Sequence, residues 1–293
     1  MTVDFHDYWE GSKKLIDGAL DEYLPLESET PEVIHQAMRY ALFPGGKRLR
    51  PILTLAAAEA VGDDSRAVLP TACALELIHA YSLIHDDLPA LDDDDYRRGK
   101  FSTHKAFGED IAVLAGDALL TLAFGLISKT GEREEIKGSL VLLVIGEVAR
   151  SVGTAGMIGG QVDDLKSEGK EVPLAQLESI HHRKTGALLE LCLKAGAILG
   201  GGTQEEIESL SRYGRDIGLA FQIGDDILDV KEEKKGKASY PALLGLEESK
   251  RKVSELIKRA KGELACCKDG EGILGKIADL VFRRSLEYNA GNP

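Results

Sequence analysis

Residues 75–95 read LELIHAYSLIHDDLPALDDDD, an apolar segment that runs straight into six aspartates. Good helix formers dominate its first half, and apolar residues recur there at helical spacings, so the segment reads as a helix. Pro89 lacks an amide donor and disfavours helix at Leu88, which places Asp86 and Asp87 at the helix C-terminus. That end already carries partial negative charge, so clustered carboxylates there are electrostatically costly. A cation has to compensate them.

The same helical signal extends outward along the chain. Aromatics are only 5% of residues and alternating β-branched runs are scarce, so strands lack their usual signature. Thr30-Pro31 reads as a cap followed by a first-turn proline, opening a helix that runs to about Phe43. The sequence Phe43-Pro44-Gly45-Gly46 ends it and Pro51 opens the next. Further helices are expected over 66–88, 109–129, 133–154, 174–200, 204–230 and 241–266. The span from Ile111 to Ile127 is apolar on most faces and should be a central helix. The chain of 293 residues, 43% hydrophobic, shows no linker, low-complexity tract or fixed-period repeat. One all-α domain spanning residues 1–293 is the expectation, a bundle of about ten helices with sites built from facing side chains.

A second acidic cluster, FQIGDDILD, covers residues 221–229. At about 100° per residue, Gln222, Asp225, Asp226 and Asp229 share one helical stripe, with Ile223, Ile227 and Val230 on another. Acids so placed repel one another unless water or a cation intervenes. An all-oxygen donor set suits a hard ion such as Mg²⁺, which needs only one or two carboxylates per ion. An acidic run alone is usually a solvated face, and Asp92–Asp95 by itself would be that. Two Asp-Asp pairs, each on an apolar helix, are harder to dismiss. No D-x-D-x-D-G loop closed by glutamate is present, which excludes an EF-hand.

Three basic sets answer the acids: GGKRLRP at 45–51, YRRGK at 96–100 and HHRKTG at 181–186. Any one alone would be surface solubility. Together with the Asp pairs they suggest a polyanion held by Mg²⁺ and by guanidinium groups. The net charge of −13 and the absence of a basic arm argue against nucleic acid. Apolar stretches read as broken by charges or glycines before about 18 residues, so no membrane-spanning helix is expected. The N-terminus has no signal-peptide pattern, and Cys73, Cys192, Cys266 and Cys267 form no CxxC or disulfide framework. These features point to a cytoplasmic protein with buried thiols and no zinc.

In GGKRLRP (45–51), LIHAYSLIHDDLPALDDDDYRRG (77–99), GMIGGQVDDL (156–165), KTGAL (184–188) and FQIGDDILDV (221–230), the chain resembles the trans-prenyltransferase (polyprenyl synthetase) family, most of all bacterial farnesyl diphosphate synthases. The resemblance runs from about Ala37 to about Ile257. It implies an isoprenoid synthase fold with a central cavity, pairing of subunits as a homodimer, and three Mg²⁺ ions for which Mn²⁺ can substitute. Asp86 and Asp92 would hold two ions on an allylic diphosphate, and Asp225 the third, supported by Asp226 and Asp229. Arg97, Lys184 and Lys237 would contact that diphosphate. Lys47, Arg50, His79 and Arg98 would bind isopentenyl diphosphate. Lys184, Thr185 and Gln222 would direct dipoles at the developing cation. Gly159, Gly160, Gln161 and Asp164 would let helices approach closely.

The implied reaction is ionisation of dimethylallyl or geranyl diphosphate, attack by isopentenyl diphosphate, and loss of a proton, giving farnesyl diphosphate. No Ser-His-Asp or Cys-His nucleophile is needed or seen, and His85 reads as packing or bonding a neighbouring carboxylate. Tyr81 and Ser82 lie about 7.5 Å back along the helix from Asp86, at 1.5 Å per residue, where they could floor the cavity. A bulky aromatic at that position accompanies fifteen-carbon products in the family. A geranylgeranyl diphosphate synthase is the runner-up. A terpene cyclase, a non-catalytic partner subunit and a membrane-surface protein fit the motifs and charge less well. One departure is the short segment after Val230, KEEKKGK at 231–237, where a second family lysine lacks a counterpart. Its lysines 231, 234, 235 and 237 could form a lid over bound diphosphate.

Overall fold

The computed structural model of the chain describes residues 4–43, 45–62, 65–229, 239–268 and 270–286. Among these, nearly all regular structure is α-helical, as the spacing of apolar residues dictates. The chain divides into two compact units, Met1–Leu55 with Arg66–Val141, and Ala56–Ser65 with Leu142–Pro293.

The first unit holds α1 (Phe5–Tyr23), α2 (Glu32–Leu42), the start of α3 (Leu49–Val61) and α4 (Leu69–Asp86), with α1 and α2 packed on α4. The Asp4 carboxylate caps α1 by accepting from the amides of His6 and Asp7. Thr30 does not cap α2. Pro31 takes that place, without a side-chain hydrogen bond, and the helix starts at Glu32. Helix α4 has Pro70 in its first turn and is buried on nearly every face, so it has no amphipathic stripe and behaves as a core element. It packs on α6 (Glu109–Thr130), which follows the single-turn α5 (Thr103–Phe107). Between α4 and α5 lies the one sheet among the described residues, a hairpin of β1 (Tyr96–Arg97) and β2 (Lys100–Phe101). Both residues of its two-residue turn, Arg98 and Gly99, have positive φ (53° and 77°), the conformation a tight hairpin requires.

Arg48 ties this unit together. It is 3% exposed, with φ of 48°. Its guanidinium donates to Asp17 of α1 at 2.7 Å, to Glu76 of α4 at 2.8 Å and to the Leu42 carbonyl at the end of α2 at 2.9 Å. The buried charge is thus neutralised and hydrogen-bonded, as burial demands.

The second unit contains most of α7 (Gly138–Val152), then α8 (Met157–Ser167), α9 (Leu174–His181), a π turn (His182–Gly186) and α10 (Ala187–Leu199). The long α11 (Gln204–Asp229) packs on α10, α13 (Leu246–Glu263) and α14 (Gly272–Leu286). The single helix expected over 241–266 is instead α12 (Tyr240–Leu244) and α13, divided at Gly245, whose φ of 82° no helix can carry.

The expected limit on apolar stretches does not hold. Ser65–Asp86, Glu109–Thr130 and Gly138–Ser167 are long and apolar enough to cross a membrane. Glycine does not interrupt hydropathy in a helix, and the charges inside these stretches are too few to lower it. The first window is 78% buried inside the protein, so its apolarity serves the core.

Candidate active site

The first aspartate motif lies wholly within the first unit. After α4 the backbone folds back on itself: the Leu88 amide donates to the His85 carbonyl at 3.1 Å, and the Asp92 amide to the Asp86 carbonyl at 2.8 Å. Asp92 is thereby brought beside Asp86, although six residues separate them. Asp86 is partly exposed and Asp92 exposed, whereas Asp87 is 2% exposed. The Arg97 guanidinium holds Asp87, with Nε 3.0 and 3.2 Å from its two oxygens, and reaches Asp94 at 3.2 Å. Burial pushes the Asp87 carboxyl up from its ordinary range while Arg97 opposes the shift. The first pair therefore divides its work. Asp87 anchors the hairpin through Arg97, and Asp86 with Asp92 offers hard oxygen donors that fit Mg²⁺.

Asp93, Asp95 and His104 also bring one ligand atom each within 4.8 Å of the others. Asp95 already pairs with Lys105 at 2.8 Å, and exposed acids gather in this way without an ion.

His79, two α4 turns before Asp86, reports on the basic residues. Burial, then Arg50, Arg98, Arg97 and Arg48, holds its imidazole well below the ordinary value of 6.5. Burial and the positive charge of these arginines both disfavour the imidazolium. Arg98 donates to the Gly45 carbonyl and lies against Gly46. The three cations of GGKRLRP separate: Arg48 is buried in the triad above, Lys47 is exposed and Arg50 is partly exposed. Of the two roles expected for His85, packing is the one seen, and no carboxylate among the described residues bonds it. Its Nε2 donates to the Val113 carbonyl of α6 at 3.1 Å, and Gly116 leaves room for the ring, since a Cβ there would sit 2.2 Å from Nε2.

Tyr81 is 5% exposed and lies edge-on to His85, with ring centroids 5.7 Å apart. Its buried hydroxyl has no hydrogen-bond partner among the described residues, and burial, with Asp86, pushes the phenol up to about 12. The Ser82 hydroxyl turns back to the His79 carbonyl at 2.9 Å.

The second motif belongs to the second unit. On α11, Ile223 and Ile227 are fully buried, Gln222, Asp225 and Asp226 are partly exposed, and Asp229 is exposed. Its pair also divides. Asp226 accepts from the Tyr240 amide at 2.9 Å, with His181 Nε2 at 3.5 Å, and Asp225 faces Arg284 of α14 at 2.7 Å. Tyr240 is fixed in turn by its hydroxyl on Glu178 at 2.6 Å. Val230 and Lys237, with lysines 231, 234 and 235 of the expected lid, lie outside the described residues.

Lys184 and Thr185 sit in the π turn, where the Ala187 amide donates to the His182 carbonyl five residues back. Such a turn interrupts the α ladder and lets a carbonyl leave it. Helix α8 makes the turn possible, because a Cβ on Gly160 would stand 2.3 Å from the Lys184 amide nitrogen. Lys184 Nζ then pairs with Asp164 at 2.7 Å. Both amide atoms of Gln161 are buried without a hydrogen-bond partner among the described residues, an arrangement that packing alone does not explain. The resemblance implies only a packing role for Gln161.

The polyprenyl synthetase family profile matches residues 31–269. The chain is 44% identical over 299 residues to a farnesyl diphosphate synthase of Bacillus subtilis, covering 97% of this chain and 99% of that one. It is 45% identical over 286 residues to a geranylgeranyl diphosphate synthase of Cyanophora paradoxa, covering 93% and 94%. A crystal structure of an FPP/GFPP synthase from Zymomonas mobilis superposes with a TM-score of 0.88 at 40% identity, over 96% of this chain and 100% of that one. With both aspartate motifs, the arginine-ringed histidine and the π turn in place, the chain belongs to the polyprenyl synthetase family and is a prenyltransferase of the isoprenoid synthase fold.

Proposed function

We propose that this prenyltransferase adds isopentenyl diphosphate to dimethylallyl and then geranyl diphosphate, releasing farnesyl diphosphate. The observation that carries the fifteen-carbon assignment is Tyr81, a bulky ring buried one turn before Asp86 with its hydroxyl unsatisfied. A ring there blocks a growing tail sterically, and its apolar surroundings suit an isoprenoid end.

Asp86, Asp92 and Asp225 would hold Mg²⁺, in a family pattern of three ions, with Mn²⁺ able to replace it. When bound, the ions neutralise diphosphate charge as the allylic C–O bond breaks. The chain's own residues bind and orient. Lys47, Arg50, Arg98 and neutral His79 receive isopentenyl diphosphate, and Arg97, Lys184 and Lys237 the allylic diphosphate. Backbone and side-chain dipoles of Lys184, Thr185 and Gln222 stabilise the allylic cation. The isopentenyl double bond attacks that cation, and the released diphosphate takes the proton lost from the adduct.

We also propose a cytoplasmic homodimer. Helix α6 exposes Val113, Leu114 and Phe124, and α7 exposes Leu142 and Leu143. Exposed Asp117 lies on the same face of α6, which favours a protein partner over lipid because a carboxylate is costly in hydrocarbon. The four cysteines are free thiols, as a reducing compartment requires.

Product analysis tests the assignment. Wild type incubated with labelled isopentenyl diphosphate should yield mainly the fifteen-carbon product, and Tyr81→Ala should shift it to twenty carbons or more. Twenty carbons from wild type would move the assignment to geranylgeranyl diphosphate.

A further inference from the structure

We infer that Arg284 is a positioning residue for the second aspartate motif, holding the Asp225 carboxylate in the ion-free protein and yielding it when a divalent cation binds. This rests on Asp225 as a metal ligand, proposed above. Arg284 stands near the end of α14, with Nη2 2.7 Å from Asp225 Oδ1. The same guanidinium lies over the ring of Phe221, 4.6 Å from its centroid. Phe221 is one turn before Asp225 on α11, so ring and carboxylate receive the guanidinium together.

The neighbours of Arg284 show that this placement is specific. Ser285 is fully buried, with its hydroxyl on the Phe282 carbonyl at 2.7 Å. It packs at Gly224, where a Cβ would lie 3.5 Å from the Ser285 Cβ. Arg283 turns to its own helix, donating to the Asp279 carbonyl at 3.4 Å. Asp226, beside Asp225, is held by the Tyr240 amide and His181, so Arg284 acts on one carboxylate of the pair.

The side chains of Arg284 and Asp225 are 30% and 32% exposed, although the Oδ1 that faces Arg284 is itself shielded from solvent. A guanidinium keeps its charge at any working pH. It therefore serves as a built-in counter-ion that limits repulsion among Asp225, Asp226 and Asp229. A dication competing for Asp225 must displace it or share the carboxylate, which couples the last turn of α14 to ion occupancy.

The test uses the full chain with Mn²⁺ as the probe, free ion being counted by electron paramagnetic resonance. Wild type should show a binding component that Asp225→Asn removes. Arg284→Gln should tighten that component about three- to five-fold, the scale of a lost competing ion pair at a partly exposed site. Arg284→Lys, which keeps the charge, should stay near wild type, whereas a purely structural role would treat both variants alike. Hydrogen exchange at the C-terminal turn of α14 should quicken in wild type when Mn²⁺ is added. Unchanged or weaker binding in Arg284→Gln, or equal behaviour of the two variants, overturns the inference. If Arg284→Gln does not fold, exchange in wild type decides, and no Mn²⁺-dependent change overturns it. If Asp225→Asn leaves Mn²⁺ binding intact, the metal reading of Asp225 itself fails, and this inference with it.

Discussion

Within each Asp-Asp pair the two neighbouring acids have different partners. Asp87 is consumed by Arg97, and Asp226 by the Tyr240 amide and His181. Sequence spacing cannot distinguish adjacent aspartates of this kind; only their partners do. Asp86→Ala and Asp225→Ala should each lower turnover by several powers of ten with helix content unchanged by circular dichroism. Tyr81 allows a finer test. Tyr81→Phe removes a buried hydroxyl that has no partner, so it should stabilise the protein by about 1 kcal/mol in chemical denaturation and leave product length unchanged. His79 gives a pH prediction. Its folded-state value lies below 6.5, so the unfolded chain binds the proton more readily. Stability should therefore fall as pH drops below about 6.5, because ΔG of unfolding rises with pH wherever the unfolded state holds more protons. His79→Gln should lessen that fall, as read from denaturation midpoints at a series of pH values.

Among the elements, α6 and α11 are legible from apolar spacing although both carry glycines. The reading of 109–129 corresponds to α6, Glu109–Thr130, and that of 204–230 to α11, Gln204–Asp229. Helices α1, α8 and α14 were not anticipated. In α8 two adjacent glycines, Gly159 and Gly160, fall within an 11-residue helix, and glycine costs a helix about 1 kcal/mol against alanine. In α8 that cost is offset by contact, since the glycine at 160 is what admits the π turn. The π turn itself was read as ordinary helix within 174–200, because apolar spacing does not register one inserted residue. The Arg48 triad holds three helices of the first unit in register. Arg48→Met should leave Glu76, whose side chain is 4% exposed, as an uncompensated buried charge. A loss of about 3–5 kcal/mol in denaturant unfolding is expected. The double variant Arg48→Met/Glu76→Leu should recover much of it.

For the whole molecule, the exposed apolar residues matter more than the core. Leu142 is 70% exposed and Leu114 53%, and the proposed homodimer would cover them. Light scattering at micromolar concentration should report a dimer, and Leu142→Glu with Leu114→Asp should yield a folded monomer. A wild-type monomer would leave those faces unexplained by pairing. Metal dependence belongs to this scale as well. Activity should vanish in EDTA and return with Mg²⁺ or Mn²⁺, measured by incorporation of labelled isopentenyl diphosphate. Full activity in chelator would end the metal assignment.

Helical class, the positions of both aspartate motifs and the reaction family were all determined by sequence alone. Each rests on local information: apolar period, a proline after a helix, acids at helical spacing, and five motif blocks in order. Which cation serves which purpose was decided only by tertiary structure. In GGKRLRP the resemblance gives Lys47 and Arg50 a substrate role and Arg48 none, but only the fold shows that Arg48 goes to Asp17 and Glu76, residues distant in sequence. Likewise Arg284 acquires its place from α14 packing at Gly224, and His85 its partner from the Val113 carbonyl. Charge and hydrogen-bonding capacity are properties of a residue, but the desolvation and neighbours that give them a role arise only when remote segments meet.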